Sequence, residues 1–113
     1  MMDPNTHDRI LARSSHLPQL VASALGASLK DERIAGKLAA EYGAGGLRDT
    51  TRLAASSTEV WRDICFTNRE AIVEALKTFD AAFAEFRTIL EAGDEEKFTA
   101  LFDRGRAMRE RLK

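Results

Sequence analysis

Apolar side chains recur along most of the chain at the three- and four-residue spacing of amphipathic helices. This spacing predicts a first helix over residues 7–29, with Pro18 inside it. Asp31 is a suitable N-cap for a second helix, predicted over residues 31–41 and ended by the glycines that follow. A short third helix is predicted over residues 47–55.

The longest apolar stripe begins after Ser56, which forms a capping-box pattern with Glu59. The stripe predicts one helix of about thirty residues, followed by a helix stop at Gly93 and a last helix capped by Asp94. Thirty residues span about 45 Å, whereas a compact monomer of this length has a radius of gyration of about 13 Å. We therefore expect a homodimer that covers the far half of this helix. The stripe consists of Val60, Trp61, Ile64, Ile72, Val73, Leu76, Phe79, Phe83, Phe86, Ile89 and Leu90.

The choice among apolar residues indicates the fold class. The chain has 18 Ala and 12 Leu against 3 Val and 5 Ile, a composition that favours helices over strands. Its 113 residues fall within the usual size of one domain. The sequence therefore predicts a single all-α domain over residues 1–113, built as a helical bundle.

The charge balance and the single cysteine exclude several classes of protein. With 17 Lys and Arg against 18 Asp and Glu, a net charge of −1 does not favour nucleic acid or an anionic membrane as partner. The apolar runs are too short for a secretory or membrane-spanning segment. Cys65 has no second cysteine to pair with, so we expect a cytoplasmic protein in which Cys65 is a small buried residue.

The first candidate site lies in the first predicted helix, where Ser15 and His16 precede Pro18. Proline removes a backbone donor and its ring crowds the preceding turn, so the helix is predicted to kink there at a cost of about 3 kcal/mol. A kink can turn short polar side chains toward a ligand. The alternative is a kink that serves packing alone, with His16 solvated or hydrogen-bonded.

The second candidate site combines the Gly45-Gly46 turn with Arg52, and Trp61 follows nine residues later. Glycine lets a backbone approach a ligand closely, and a guanidinium can hold a carboxylate through two parallel hydrogen bonds. The alternatives are a surface ion pair between Arg52 and Asp49, three residues apart on a helix, and a core position for Trp61.

The spacing of the two histidines argues against a metal site. His7 and His16 are nine residues apart, which places them on nearly opposite sides of a helix. The sequence therefore predicts no metal ligands.

Two stretches of the sequence resemble the signatures of the C-terminal domain of prephenate dehydrogenases, the TyrA family of tyrosine biosynthesis. His7-Asp8, Ala12 and Ser15-His16-Leu17-Pro18 are similar to the first signature. The stretch from Gly45-Gly46 to Ala54, followed by Trp61-Arg62-Asp63-Ile64 and Asn68, is similar to the second. Both motifs occur in the family's order and spacing over nearly the whole chain.

The resemblance implies a helical domain, like the C-terminal domain of 6-phosphogluconate dehydrogenase, that dimerises and completes the substrate pocket. The activity implied is the NAD(P)-dependent oxidative decarboxylation of prephenate or arogenate by an oxidoreductase. In this family the cofactor and the catalytic histidine belong to an N-terminal Rossmann domain. This chain has no G-x-G-x-x-G motif after a strand, so we expect it to contain no catalytic or cofactor-binding residue and to be inactive alone.

The resemblance also implies roles for individual positions. Arg52 matches the arginine that pairs with a substrate carboxylate, and the other matched positions would line or border the substrate pocket. Gln19 stands where the family commonly has a second histidine, which leaves substrate preference and feedback by tyrosine open. The substrate-binding set implied is Arg52, Ser15, His16, Gly45, Trp61, Gln19 and His7.

Two other functions remain open at this point. One is a non-catalytic dimeric module, related to the same domain, that senses an aromatic acid such as tyrosine. The other is an all-helical chorismate mutase, although the first helix lacks a suitable arrangement of Arg and Lys.

Overall fold

The computed structural model describes residues 2–43 and 45–112, and most of them are helical. This confirms the all-α prediction. The α-helices are α1 (Pro4–Leu11), α2 (Leu17–Leu29), α3 (Gly45–Thr51), α4 (Thr58–Thr67), α5 (Arg69–Ala92) and α6 (Glu95–Glu110). A π-helical segment (Ala12–His16), two 3-10 turns (Ala39–Tyr42 and Arg52–Ala54) and two short strands, β1 (Arg33–Ile34) and β2 (Lys37–Leu38), complete the described chain.

The region predicted as a second helix, residues 31–41, is a β-hairpin followed by a 3-10 turn, so that prediction was wrong. β1 pairs antiparallel with β2. The two residues between the strands, Ala35 and Gly36, have φ values of 54° and 80°. A two-residue hairpin turn with positive φ at both positions matches the twist of the flanking strands, and it cannot be part of a helix.

At the position of the predicted kink, the backbone just before Pro18 forms the π segment. The Leu17 N–H donates to the carbonyl of Ala12, five residues earlier, instead of the usual four. Because Pro18 has no N–H and its ring would crowd an α-helical turn, the wider π turn accommodates it while the chain continues directly into α2.

The predicted thirty-residue helix is interrupted at Asn68, so α4 and α5 are separate helices. Asn68 has φ −109° and ψ 36°, outside the α-helical region. Its N–H still donates to the Ile64 carbonyl, and its own carbonyl accepts the Ile72 N–H. The N-cap of α4 is Ser57 and not the predicted Ser56, because the Ser57 hydroxyl accepts the Val60 N–H at 3.3 Å.

The chain divides into two compact units, Met1–Ala75 and Leu76–Lys113, with the division inside α5. In the first unit the buried residues are Ala12, Ala22, Ile72 and Ala75, together with the polar His16 and Gln19. In the second unit Ile89 and Leu101 are buried, whereas Phe83, Leu90, Phe102 and Met108 are exposed. Large apolar side chains are also exposed in the first unit, among them Val60 and Phe66. Exposed apolar side chains of this kind are candidates for an interaction surface.

None of the helices in residues 2–43 and 45–112 is both long enough and apolar enough to cross a membrane.

Candidate functional site

The π segment ends at His16, whose side chain lies inside the first unit and is only 8% exposed. Its ring makes an edge-to-face contact with the Trp61 indole, with the ring centroids 5.9 Å apart and the ring planes at 80°. Its Nδ1 lies 3.3 Å from the side-chain nitrogen of Asn68. Two of the residues singled out in the sequence, His16 and Trp61, are therefore in direct contact.

Asn68 connects this cluster to the first helix. Its Nδ2 donates to the backbone carbonyl of Asp8 at 2.8 Å. The same carbonyl also accepts the N–H of Ala12 at the start of the π segment. Asn68 belongs to the second sequence motif, and no role was predicted for it. A poor helix former inside an otherwise regular apolar stripe was the available signal.

A cavity of about 330 Å³ borders the His16 ring. Two of its lining residues, Asp8 and Asp63, carry carboxylates, and Asn68 also lines it. Two like charges disfavour an anionic group in this space. The lining residues are Asp8, Leu11, His16, Asp63, Ile64, Thr67 and Asn68.

Gln19 fixes the turn that contains Arg52. The Gln19 side chain is 5% exposed, and its Nε2 donates to the Leu53 carbonyl at 2.6 Å. The Ser56 hydroxyl donates to the same carbonyl, also at 2.6 Å. One carbonyl therefore joins α2, the 3-10 turn and the segment that leads into α4. No sequence pattern predicts that one carbonyl accepts both hydrogen bonds, because Gln19 and Leu53 are 34 residues apart in the chain.

The guanidinium of Arg52 is exposed at this turn. Within residues 2–43 and 45–112 it forms neither an ion pair nor a hydrogen bond, and Asp49 is not paired with it. The surface pair considered as the alternative for Arg52 is thus not formed. A guanidinium without a protein partner is free to bind a carboxylate.

A second cavity, of about 290 Å³, lies beside Gln19 and Trp61. Its described lining contains one cation, Arg62, and no acidic side chain. Small hydroxyl side chains form another part of the wall: Ser23, Ser56, Ser57 and Thr58. The charge and hydrogen-bonding groups of this cavity suit an organic acid better than those of the cavity beside His16. Cys65 also lines it, and burial raises the pKa of the Cys65 thiol, which makes it a weaker nucleophile.

The structure does not bring His7 or Ser15 into this cluster of polar contacts. His7 is on exposed α1, where its Nδ1 lies 3.5 Å from the carboxylate of Asp8. Ser15 is exposed, and its hydroxyl has no hydrogen-bond partner in the described part of the chain. For both residues, the only argument for a contact with ligand is their place in the sequence motif.

Gly45 is the first residue of α3, and a Cβ there would meet no atom within 4 Å. Packing alone does not require glycine at this position. Gly43 differs, because a Cβ there would lie 2.7 Å from Cδ2 of Leu47. Close packing at Gly43 was not foreseen from the sequence, which indicated only a helix stop.

In the described ranges no three His, Cys, Asp or Glu side chains come together where they could hold a metal ion.

Comparison with known proteins gives one consistent family. The family model described as prephenate dehydrogenase, dimerization domain, matches residues 3–104. The chain is 32% identical to a prephenate dehydrogenase of Bacillus subtilis over 98% of its own length and 30% of that protein. It is 33% identical to a cyclohexadienyl dehydrogenase of Zymomonas mobilis over 100% of its length and 39% of that protein.

A solved structure agrees with these matches. Prephenate dehydrogenase from A. aeolicus, in complex with hydroxyphenyl propionate and NAD+, superposes with a TM-score of 0.90 at 28% identity. The superposition covers 99% of this chain and 39% of that one. The chain thus spans about a third of the length of the relatives it matches.

Proposed function

Since the chain belongs to the prephenate dehydrogenase family, with the dimerization domain at residues 3–104, we propose that it forms the substrate-binding and dimerisation part of an NAD(P)-dependent prephenate or arogenate dehydrogenase. The complete enzyme would oxidise and decarboxylate its substrate in tyrosine biosynthesis. Its one cysteine suits the reducing cytoplasm in which we place it.

The main support is the arrangement around Arg52. Its guanidinium is exposed and unpaired within the described residues, and its turn is held by the hydrogen bond from Gln19 to Leu53. A backbone turn that is already held in place loses less conformational entropy when its arginine binds a carboxylate. We assign Arg52 to a substrate carboxylate, and the cavity beside Gln19 and Trp61 to the body of the same ligand.

We assign His16, Ser15, Gly45 and His7 to the border of the substrate site, His7 near the junction with the cofactor domain. His16 is the best placed of the four, because its ring contacts Trp61. Ser15, Gly45 and His7 are exposed and are available to a neighbouring domain or subunit.

The described residues do not suit a dinucleotide cofactor. Their two strands, β1 and β2, are each two residues long and pair antiparallel. A dinucleotide site is instead built on a parallel sheet with a glycine-rich turn into a helix. We therefore assign NAD(P) to a Rossmann domain that acts with this chain, in the same polypeptide or as a separate subunit. The exposed Phe83, Leu90, Phe102 and Met108 support a homodimer, because they would be covered by a second copy.

The test is reconstitution. The chain is fused behind a nucleotide-binding domain of a prephenate dehydrogenase, and reduction of NAD+ or NADP+ is followed with prephenate and with arogenate. We expect turnover that is lost without this chain. Binding of tyrosine or hydroxyphenylpropionate without any turnover, in a fusion that binds the dinucleotide, would instead favour the non-catalytic sensing module.

A further inference from the structure

The contact between Asn68 and His16 determines which ring nitrogen of His16 carries the proton. Asn68 Nδ2 donates to the Asp8 carbonyl, which can only accept a hydrogen bond. This contact fixes the orientation of the Asn68 amide, because its oxygen in the same place would face another oxygen.

The amide nitrogen has two hydrogens. One of them is used on the Asp8 carbonyl, and the other is available to His16 Nδ1 at 3.3 Å. Since an NH2 group donates and does not accept, Nδ1 of the neutral ring must be the acceptor and the ring proton must lie on Nε2.

We propose that Asn68 is a positioning residue that keeps the neutral His16 ring in the Nε2–H tautomer, so that Nε2 offers a hydrogen-bond donor and not a proton acceptor. The tautomer follows from the contacts of this chain alone. The role toward substrate rests on the proposed function.

This role also accounts for the break between α4 and α5. A continuous helix would keep position 68 in α-helical geometry, whereas the observed φ of −109° is outside it. In the observed geometry a single side chain reaches both the Asp8 carbonyl and the His16 ring. The edge contact with Trp61 limits the ring further.

Nitrogen-15 NMR of the histidine rings tests the proposal without substrate or cofactor, so its failure is separate from failure of the proposed function. The chain has two histidines, and His7→Gln assigns the His16 signals. At about pH 8, above the range in which histidines usually titrate, we expect a protonated Nε2 and an unprotonated Nδ1 for His16. A protonated Nδ1, or a rapidly exchanging mixture, would overturn the proposal.

Asn68→Asp replaces the donor with an acceptor of the same shape and is expected to move the proton to Nδ1. The matched control is Asn5→Asp, the same chemical change at the chain's other asparagine, on exposed α1. It is expected to leave the His16 signals in place. Unchanged His16 signals in a folded Asn68→Asp would refute the assignment.

If Asn68→Asp does not fold, Asn68→Ala provides the test, because it introduces no repulsion toward the Asp8 carbonyl. The expected result is a shift of the His16 Nδ1 resonance to the position of a ring nitrogen without that hydrogen bond. A resonance identical to that of the wild type would show that Asn68 does not contact Nδ1.

Discussion

Replacing Gln19 by Leu should loosen the turn that holds Arg52 and should lower stability by a measurable amount. Leucine keeps most of the side-chain volume in a site that is 5% exposed, but it removes the donor to the Leu53 carbonyl. A hydrogen bond of this kind contributes about 0.5 to 1.5 kcal/mol net. The carbonyl keeps its bond from Ser56, so we expect a loss within that range and not above it.

This free energy converts directly into a melting shift. At about 2.1 cal/mol/K per residue, unfolding 113 residues has an entropy of about 240 cal/mol/K, so each kcal/mol lowers Tm by about 4 °C. Gln19→Leu should therefore melt about 2 to 6 °C below wild type in a calorimetric scan at fixed protein concentration. Gln19→Glu, which places a buried carboxylate against a carbonyl, should lose about 3 kcal/mol or more.

Ser56→Ala is the matched control, because it removes the exposed donor to the same acceptor. The double variant leaves the Leu53 carbonyl with neither of these donors, and its loss should exceed the sum of the two single losses by about 0.5 kcal/mol or more. A Gln19→Leu protein that melts at or above the wild-type temperature would refute the argument. So would strict additivity in the cycle.

Further predictions concern the site, the assembly and the first helix. In the reconstituted dehydrogenase, Arg52→Ala should raise KM by a factor that corresponds to several kcal/mol, with partial rescue by Arg52→Lys, and a normal KM would exclude Arg52 from carboxylate binding. Sedimentation of the wild-type chain at micromolar concentration should show a dimer that Phe83→Asp weakens, and a wild-type monomer would contradict the proposed assembly. Hydrogen bonds from Thr6 and Asn5 lower the pKa of the Asp3 carboxyl below 3.8. The ionised Asp3 carboxylate should therefore stabilise the fold fully above pH 3.8, and this stabilisation should disappear as the pH falls through the lowered pKa of the folded protein. Asp3→Ala and wild type should accordingly differ in Tm at pH 6 and converge in strong acid.

The fold class could be predicted because helix-forming residues, above all Ala and Leu, dominate the apolar composition. The local errors have local causes. Residues 31–41 contain enough apolar residues for a helix, but the backbone at Ala35 and Gly36 adopts positive φ, and Ala-Gly is a weak hairpin signal beside Asn-Gly or Asp-Gly. The choice between Ser56 and Ser57 as N-cap depends on one residue of register, which side-chain periodicity does not resolve.

At the candidate site, the sequence identified residue types but not their hydrogen bonds. Pro18 pointed to a disturbed helix, and the structure shows that the adjustment is made in the π turn that precedes it. The bonds from Asn68 to Asp8 and from Gln19 to Leu53 join residues 60 and 34 positions apart. No periodic pattern encodes such contacts, because each depends on how distant segments pack.

The π segment also determines how the chain can tolerate insertions and deletions. Because this segment contains an extra residue, α1 and α2 do not share one α-helical register, and each residue of an α-helix advances about 100° around the axis. Deleting one residue between Ala12 and Ser15 would restore regular α-helical phase but rotate one helix against the other by about that angle. The buried Gln19 could then no longer face Leu53 while Asp8 still faced Asn68. We therefore expect that functional variants of the chain contain no single-residue deletion between Asp8 and Gln19.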